Sequence, residues 1–310
     1  GPTVAAAILS VATWHWLFLV NLPVGLAALL VGAKTLPHTP ASGRRFDVVS
    51  SLLNALTFGL LIIGVDGLGS AEGRLTALAE LGAAVAVGVV FVRRQLGLTA
   101  PLLPVDLLRI PAFALSMASS ICAFAAQMSA FVVLPFYLQD VLHRSATQTG
   151  LLMTPWPIAV AVIAPFAGRL ADRYPPGLLG GIGLAAMAAG LAAMALLPTE
   201  PANLDIAWRL SLAGLGFGLF QSPNNRLIIT SAPRARSGGA SGMQSTARLT
   251  GQSLGAALVA VVFGLTHAGG AGGGDPALAT QMALVLAIAL ALTGTFTSVF
   301  RKTRSEPAGR

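Results

Sequence analysis

Charge is what this chain has least of. Only 10% of its 310 residues are Asp, Glu, Lys or Arg, 55% are hydrophobic and the mean hydropathy is +0.78. A soluble domain carries about a quarter of its residues as charges, so the chain reads as an all-α integral membrane protein with the lipid bilayer as its solvent. Cysteine is nearly missing as well. Cys122 stands alone in an apolar run, which excludes disulfide frameworks and thiolate metal sites. Histidine occurs four times, and no two histidines lie at helical ligand spacing. Intramembrane hydrolysis would need paired acids or a Ser/His arrangement inside the apolar runs, and neither is there. An enzyme is therefore not expected, nor a cofactor. The formal net charge is +8, but the basic residues are scattered singly between apolar runs and form no patch that would suit nucleic acid.

What is present in quantity is long uncharged runs broken by short charged turns. Gly168-Arg169-Leu170-Ala171-Asp172-Arg173-Tyr174 is the most informative turn. The runs on either side, 147–167 and 177–197, carry no charge over a length that crosses a hydrocarbon core of about 30 Å as helix. The turn thus lies at a membrane surface, where its acid can pair with a neighbouring base or sit at a helix end. Placing it on the cytoplasmic side puts fifteen of the 19 Lys and Arg residues inside and only Arg74, Arg144 and Arg209 outside. Glu72, Glu80, Asp140, Glu200, Asp205 and Asp275 fall outside. The C-terminus is then cytoplasmic.

Gly-Arg-Leu-Ala-Asp-Arg resembles the loop signature of the major facilitator superfamily, in its second copy, with Gly168, Asp172 and Arg173 at the motif positions. The chain reads Tyr174-Pro175-Pro176-Gly177 where that family continues with a glycine and further basic residues. Near the start, Gly1-Pro2 followed by Trp14-His15-Trp16-Leu17-Phe18-Leu19-Val20-Asn21-Leu22-Pro23 resembles the helix-five kink and helix-six entry of fourteen-helix drug:proton antiporters of the EmrB/QacA type. Ala5-Ala6 replaces the usual glycines and His15 the usual arginine. From the residues alone, a Gly-Pro pair bends a helix and lets a neighbour approach, and tryptophans collect at membrane interfaces.

The resemblance implies a major facilitator fold with about ten spans present, part of helix five to helix fourteen, in a chain shortened at its N-terminus. Residues 1–36 would end an N-terminal bundle. Residues 46–94 would form two linker helices (48–69 and 76–92), residues 112–300 a six-helix C-terminal bundle, and 301–310 a cytoplasmic tail. The six helices are expected near 112–138, 147–167, 177–197, 206–229, 239–265 and 276–300. Pro- and Ser-bearing connectors at 36–45 and 98–108 flank the linker pair, and glycine-rich 268–274 reads as an outer loop. The implied activity is proton-coupled export of a small amphipathic compound across a bacterial cytoplasmic membrane. Its energy source would be the proton gradient, and its partners protons and the missing N-terminal helices. A facilitator for a nutrient, metabolite or lipid, or a non-transporting remnant, would share the topology.

Polar groups inside spans are costly and are the default functional candidates. Arg248 lies on a stripe with Gln244 and Gln252 at four-residue spacing, with Ser241 and Ser245 beside it. Pro233, Gly238 to Gly242 and Gly251 to Gly255 resemble the helix-thirteen pattern of the family. Two readings stay open for the stripe. Either Arg248 snorkels or pairs with a carbonyl while the glycines pack helices, or it serves substrate passage or gating. Gln127 is the strongly polar side chain in the middle of helix nine, with Met128 beside it, where a thioether suits either an adaptable pocket or core filling. Met153-Thr154-Pro155-Trp156-Pro157 breaks helix ten, and such a break faces a cavity or a partner helix. Gln221, Asn224 and Asn225 read as cap, loop or substrate contact, and Asp66 as a proton site or an interfacial acid.

Overall fold

The computed structural model describes residues 15–35, 47–67, 73–98, 103–233, 236–268 and 276–304, with the single residues 8, 13 and 101. Gly1, Pro2, most of the expected first span, the 36–45 connector and the glycine-rich 269–274 lie outside the described residues. Everything regular among the described residues is helical. The helices are α1 (His15–Leu19), α2 (Asn21–Thr35), α3 (Val48–Gly67), α4 (Arg74–Gly97), α5 (Pro111–Phe136) and α6 (Ala146–Met153). They continue with α7 (Pro155–Leu170), α8 (Pro176–Ala195), α9 (Asn203–Ser231), α10 (Ser237–Ala268) and α11 (Pro276–Arg304). Eight stretches, with α1–α2 and α6–α7 each counted as one, are long and apolar enough to cross a membrane. Helix α9 has 29 residues but carries Asp205, Arg209 and Arg226, so it is held by the bundle more than by lipid affinity. The chain is an all-α, multi-pass membrane protein.

Proline sets the local breaks. Ser145 caps α6, and the side chain of Gln148 returns to the Ser145 N–H in a capping box. Pro155 supplies no N–H, so the helical ladder stops at Met153 and restarts as α7, and the run 147–167 is two helices rather than one. At the far end of α5, Pro135 precedes a widened turn, Tyr137–Val141, in which Leu142 N donates to Tyr137 O at 3.1 Å.

In the bundle, α9 packs along α8 and α7, α11 along α5 and α8, and α10 along α5. Helices α3 and α4 form a hairpin that touches α10. Lipid tails supply no hydrophobic drive between helices, so close approach through small residues takes over. A Cβ on Gly183 of α8 would lie 2.6 Å from Gly216 O of α9, and one on Gly251 of α10 would lie 2.6 Å from Ile121 O of α5. Between the helices Phe124, Leu134, Leu184, Met187, Phe217 and Phe220 fill the main core. A smaller core around Phe113, Met117, Ile228 and Met243 closes the end that holds the 168–174 turn.

At that same end lies a buried polar cluster, which alters one expected boundary. Arg301 is 1% exposed and belongs to α11, which runs to Arg304, so the bundle does not stop at 300 with a tail from 301. Its guanidinium donates to Ser116 Oγ of α5 (2.8 Å) and Asn224 Oδ1 of α9 (2.6 Å). It also donates to Pro176 O (3.2 Å) and Ser298 Oγ (3.3 Å). Asn224 Nδ2 donates to Ser120 Oγ at 2.8 Å, and Ser298 Oγ to Gly177 O at 3.0 Å. Four helices are thereby tied through one side chain.

Four variants check this packing in thermal unfolding of the purified protein. Gly216→Val should cost about 1–3 kcal/mol or more by overpacking. Gly168→Ala should be neutral or slightly stabilising, because a Cβ there meets only Ser222 Oγ at 3.8 Å. Arg301→Ala should cost on the order of 3 kcal/mol, since it strips the charged donor from buried Asn224. Arg301→Lys should recover part of that loss; equal loss in both would show that the guanidinium geometry rather than the charge matters.

Candidate functional site

Two features of α10 bring the polar candidates together. Gln244, Arg248 and Gln252 share one side of the helix: Arg248 is exposed, with Ser241 and Ser245 exposed beside it, and the two glutamines are half-buried. Among the described residues Arg248 has no carboxylate partner. The neighbouring sector of α10 packs on α5, where Ala247, Gly251 and Gly255 are buried and Ser129 Oγ donates to Gly255 O at 3.1 Å. Arg248 therefore lies outside the α5–α10 seam and is left exposed by the described bundle, with half-buried Gln244 and Gln252 on either side of it.

Next to it is a cavity of about 280 Å³ walled by Met128 of α5, Gln252, Ser253 and Ala256 of α10, and Ile62 and Val65 of α3. Two sequence candidates, Met128 and Gln252, thus face one space. Its walls are mostly apolar with an amide and a hydroxyl, a lining that suits an amphipathic solute held by shape and one or two hydrogen bonds. Gln127, one position along α5, is half-buried. Asp66 follows the wall residue Val65 in the last turn of α3; its side chain lies outside the description. Trp156 is not a cavity residue. It is 1% exposed and stacks edge-on against Phe131 at 5.2 Å, because the break at Pro155 turns it into the α5–α9 core.

The charged turn is wired to α9. Asp172 pairs with Arg226 rather than with Arg169 or Arg173, while Arg173 N and Tyr174 N donate to Leu170 O to close the turn. Both partners of the pair are more than half exposed, so its contribution to stability is small, about 0–1 kcal/mol. Its effect is positional: it links the α7–α8 turn to the end of α9. Two further ion pairs occupy this end. Asp106, in the turn Val105–Arg109 before α5, is held by Arg236 at the entrance to α10, with one contact at 2.7 Å. The hydrogen bonds from Arg236 keep the Asp106 carboxyl below the usual carboxylate range. The pair therefore holds at neutral pH and is lost only as the medium acidifies through that lowered value. Asp47 accepts from Ser50 and from Arg94 (3.2 Å), and Ser50 lowers its pKa most.

Sequence reading missed Asp106–Arg236 and the Arg301 cluster, and placed Asn224 near a cap. A signal existed for the second: Ser116, Ser119 and Ser120 of α5 lie one turn apart in an apolar helix, a polar stripe that needs partners. No group of three or more His, Cys, Asp or Glu residues converges among the described residues.

Comparison with known proteins agrees with this architecture. The Major Facilitator Superfamily profile matches residues 1–256. The chain is 59% identical over 265 residues to an uncharacterized transporter, YebQ, of Escherichia coli, covering 85% of this chain and 58% of that protein. It is 33% identical over 179 residues to the lincomycin resistance protein LmrB of Listeria monocytogenes (57% of this chain, 38% of that protein). It is 26% identical over 265 residues to the riboflavin transporter RibZ of Clostridioides difficile (85% and 57%). The chain thus spans roughly 38% to 58% of the lengths of these curated relatives. A bundle of membrane-length helices joined by a facilitator-type turn, with a family match over most of its length, leaves one conclusion: the chain belongs to the major facilitator superfamily.

Proposed function

We propose that the chain is the C-terminal part of a fourteen-helix drug:proton antiporter that exports small amphipathic compounds by alternating access. The observation that carries the reading is the Gln244–Arg248–Gln252 stripe, with Arg248 exposed and free of a carboxylate partner among the described residues, beside the apolar cavity at Met128 and Gln252. A polar stripe at membrane depth must face protein or water, and in a facilitator that place is the interface between two bundles. Residues 112–304 form the C-terminal bundle in this reading, α3–α4 the linker pair and 1–36 the end of the N-terminal bundle. The remaining N-terminal helices are assigned to a segment outside residues 1–310. The turn with Gly168, Asp172 and Arg173, clasped to Arg226, acts as the inner-side gate, Gly1-Pro2 as the antiporter kink, and Asp66 as a candidate proton carrier. The likeness to a lincomycin resistance protein supports export of a drug, and the likeness to a riboflavin transporter supports a second reading, movement of a metabolite.

Cells expressing the transporter should extrude a fluorescent cationic dye, and a protonophore should abolish the extrusion. Arg248→Ala should lower efflux roughly ten-fold, the loss of one charge-assisted interaction, at unchanged membrane abundance. Loss of abundance instead of rate would assign Arg248 to packing. Absence of dye efflux together with riboflavin movement would establish the second reading. A reporter fused after Arg310, or inserted near Pro175, should register as cytoplasmic; a periplasmic signal at either point reverses the orientation.

A further inference from the structure

A second, larger space is unrelated to the polar stripe. Between the α3–α4 hairpin and Thr246 of α10 runs a crevice of about 550 Å³, walled chiefly by Phe58, Val85, Val89 and Val92, with Arg93 at its end. From Val85 to Arg93 it covers about 12 Å of helix rise, close to the depth of one leaflet's hydrocarbon. Its walls belong to helices long and apolar enough to cross a membrane, and Val85 and Val89 are 66% and 46% exposed, so no described residue covers the opening. Water has little to bond with on such walls. At the mouth, Arg94 is engaged by Asp47 at 3.2 Å, whereas Arg93 is exposed and pairs with no carboxylate among the described residues. About one turn deeper, Asn54 lines the crevice with its Oδ1 buried and without a hydrogen-bond partner among the described residues.

We propose that this crevice is a binding site for one anionic phospholipid of the leaflet on the Arg93 side. One acyl chain fills the apolar slot, the phosphodiester rests on Arg93, and the Asn54 amide serves the ester level. The order of chemistries along the slot matches a lipid read from head to tail: a cation, then an amide, then hydrocarbon walls. A single unneutralised guanidinium selects a headgroup of net negative charge over a zwitterion, whose own amine competes for the phosphate. The Asn54 amide can present either end by a flip, and its NH₂ can donate to an ester carbonyl. The site is independent of which solute the transporter moves.

The test is native mass spectrometry of the full chain in detergent with added phosphatidylglycerol or phosphatidylcholine. Wild type should retain one phosphatidylglycerol per chain and little phosphatidylcholine. Arg93→Gln should weaken retention about five-fold, the effect of one basic side chain near a membrane surface. Val89→Trp, or Val85→Trp should the first not yield monodisperse protein, fills the slot and should abolish retention with Arg93 intact. Leu75→Trp, at the opposite end of α4 and 82% exposed, should change nothing. Equal retention of both lipids, undiminished binding in Arg93→Gln, or undiminished binding in the Trp variants would each overturn the proposal. Displacement of the lipid by a cationic dye at one-to-one stoichiometry would also overturn it, making the crevice a solute site.

Discussion

A polar atom inside hydrocarbon must find its partner within the protein, and the arrangement of the bundle follows from that demand. Where the demand is strongest, at buried Arg301, the terminal nitrogens of a planar guanidinium make four hydrogen bonds, to α5, α8, α9 and α11. Ser116 and Ser120 of α5 and Asn224 of α9 find their partners within this cluster. A lysine could not reach in three directions at once with the same geometry. The helices around Arg301 are consequently registered along their axes as well as packed side by side, which apolar contact alone does not achieve.

Registry at one end complements close approach along the length. The Gly183–Gly216 and Gly251–Ile121 contacts bring α8 to α9 and α10 to α5 with backbone against backbone, so neither seam can slide without a side chain meeting a carbonyl. Gly168 is different: space for a Cβ exists there, and its place in the turn has no steric basis in this conformation. What the turn contributes is electrostatic, through Asp172 and Arg226. Being exposed and weak, that pair can open at small cost, in contrast to the Arg301 cluster a few residues away.

Span positions were legible because a membrane imposes a length and an absence of charge that local sequence cannot hide. The predicted 206–229 and 276–300 became Asn203–Ser231 and Pro276–Arg304, the ends moving by a few residues. The extension at Arg301 shows why the rest was not legible. A basic residue after an apolar run looks like a solvated end, and its partners Asn224 and Ser116 lie 77 and 185 residues away. The same holds for Asp106 and Arg236, 130 residues apart. Trp156 illustrates another limit: Pro155 revealed that helix ten breaks, but the direction in which the break turns the ring depends on Phe131 and α9, which no local pattern encodes.

Helix α10 joins these themes because successive residues advance about 100° and divide it into three sectors. Ala240, Met243, Ala247 and Gly251 form the sector buried on α5 and the loop before it. Thr246, Ser253 and Ala257 turn toward the α3–α4 hairpin and line the two spaces found there. Gln244, Arg248 and Gln252 occupy the third sector, in which Arg248 is exposed and the two glutamines are half-buried. A single rigid helix therefore contacts the bundle, the hairpin and the polar stripe at once, with Arg236 at its entrance clamped to Asp106. Any tilt of α10 that opens or closes space at the stripe must also change the crevices on its hairpin side. The seam with α5 limits that tilt, because Gly251 and Gly255 leave no slack against the α5 backbone. Movement at the stripe is consequently movement of α5 and α10 together, as one rigid body.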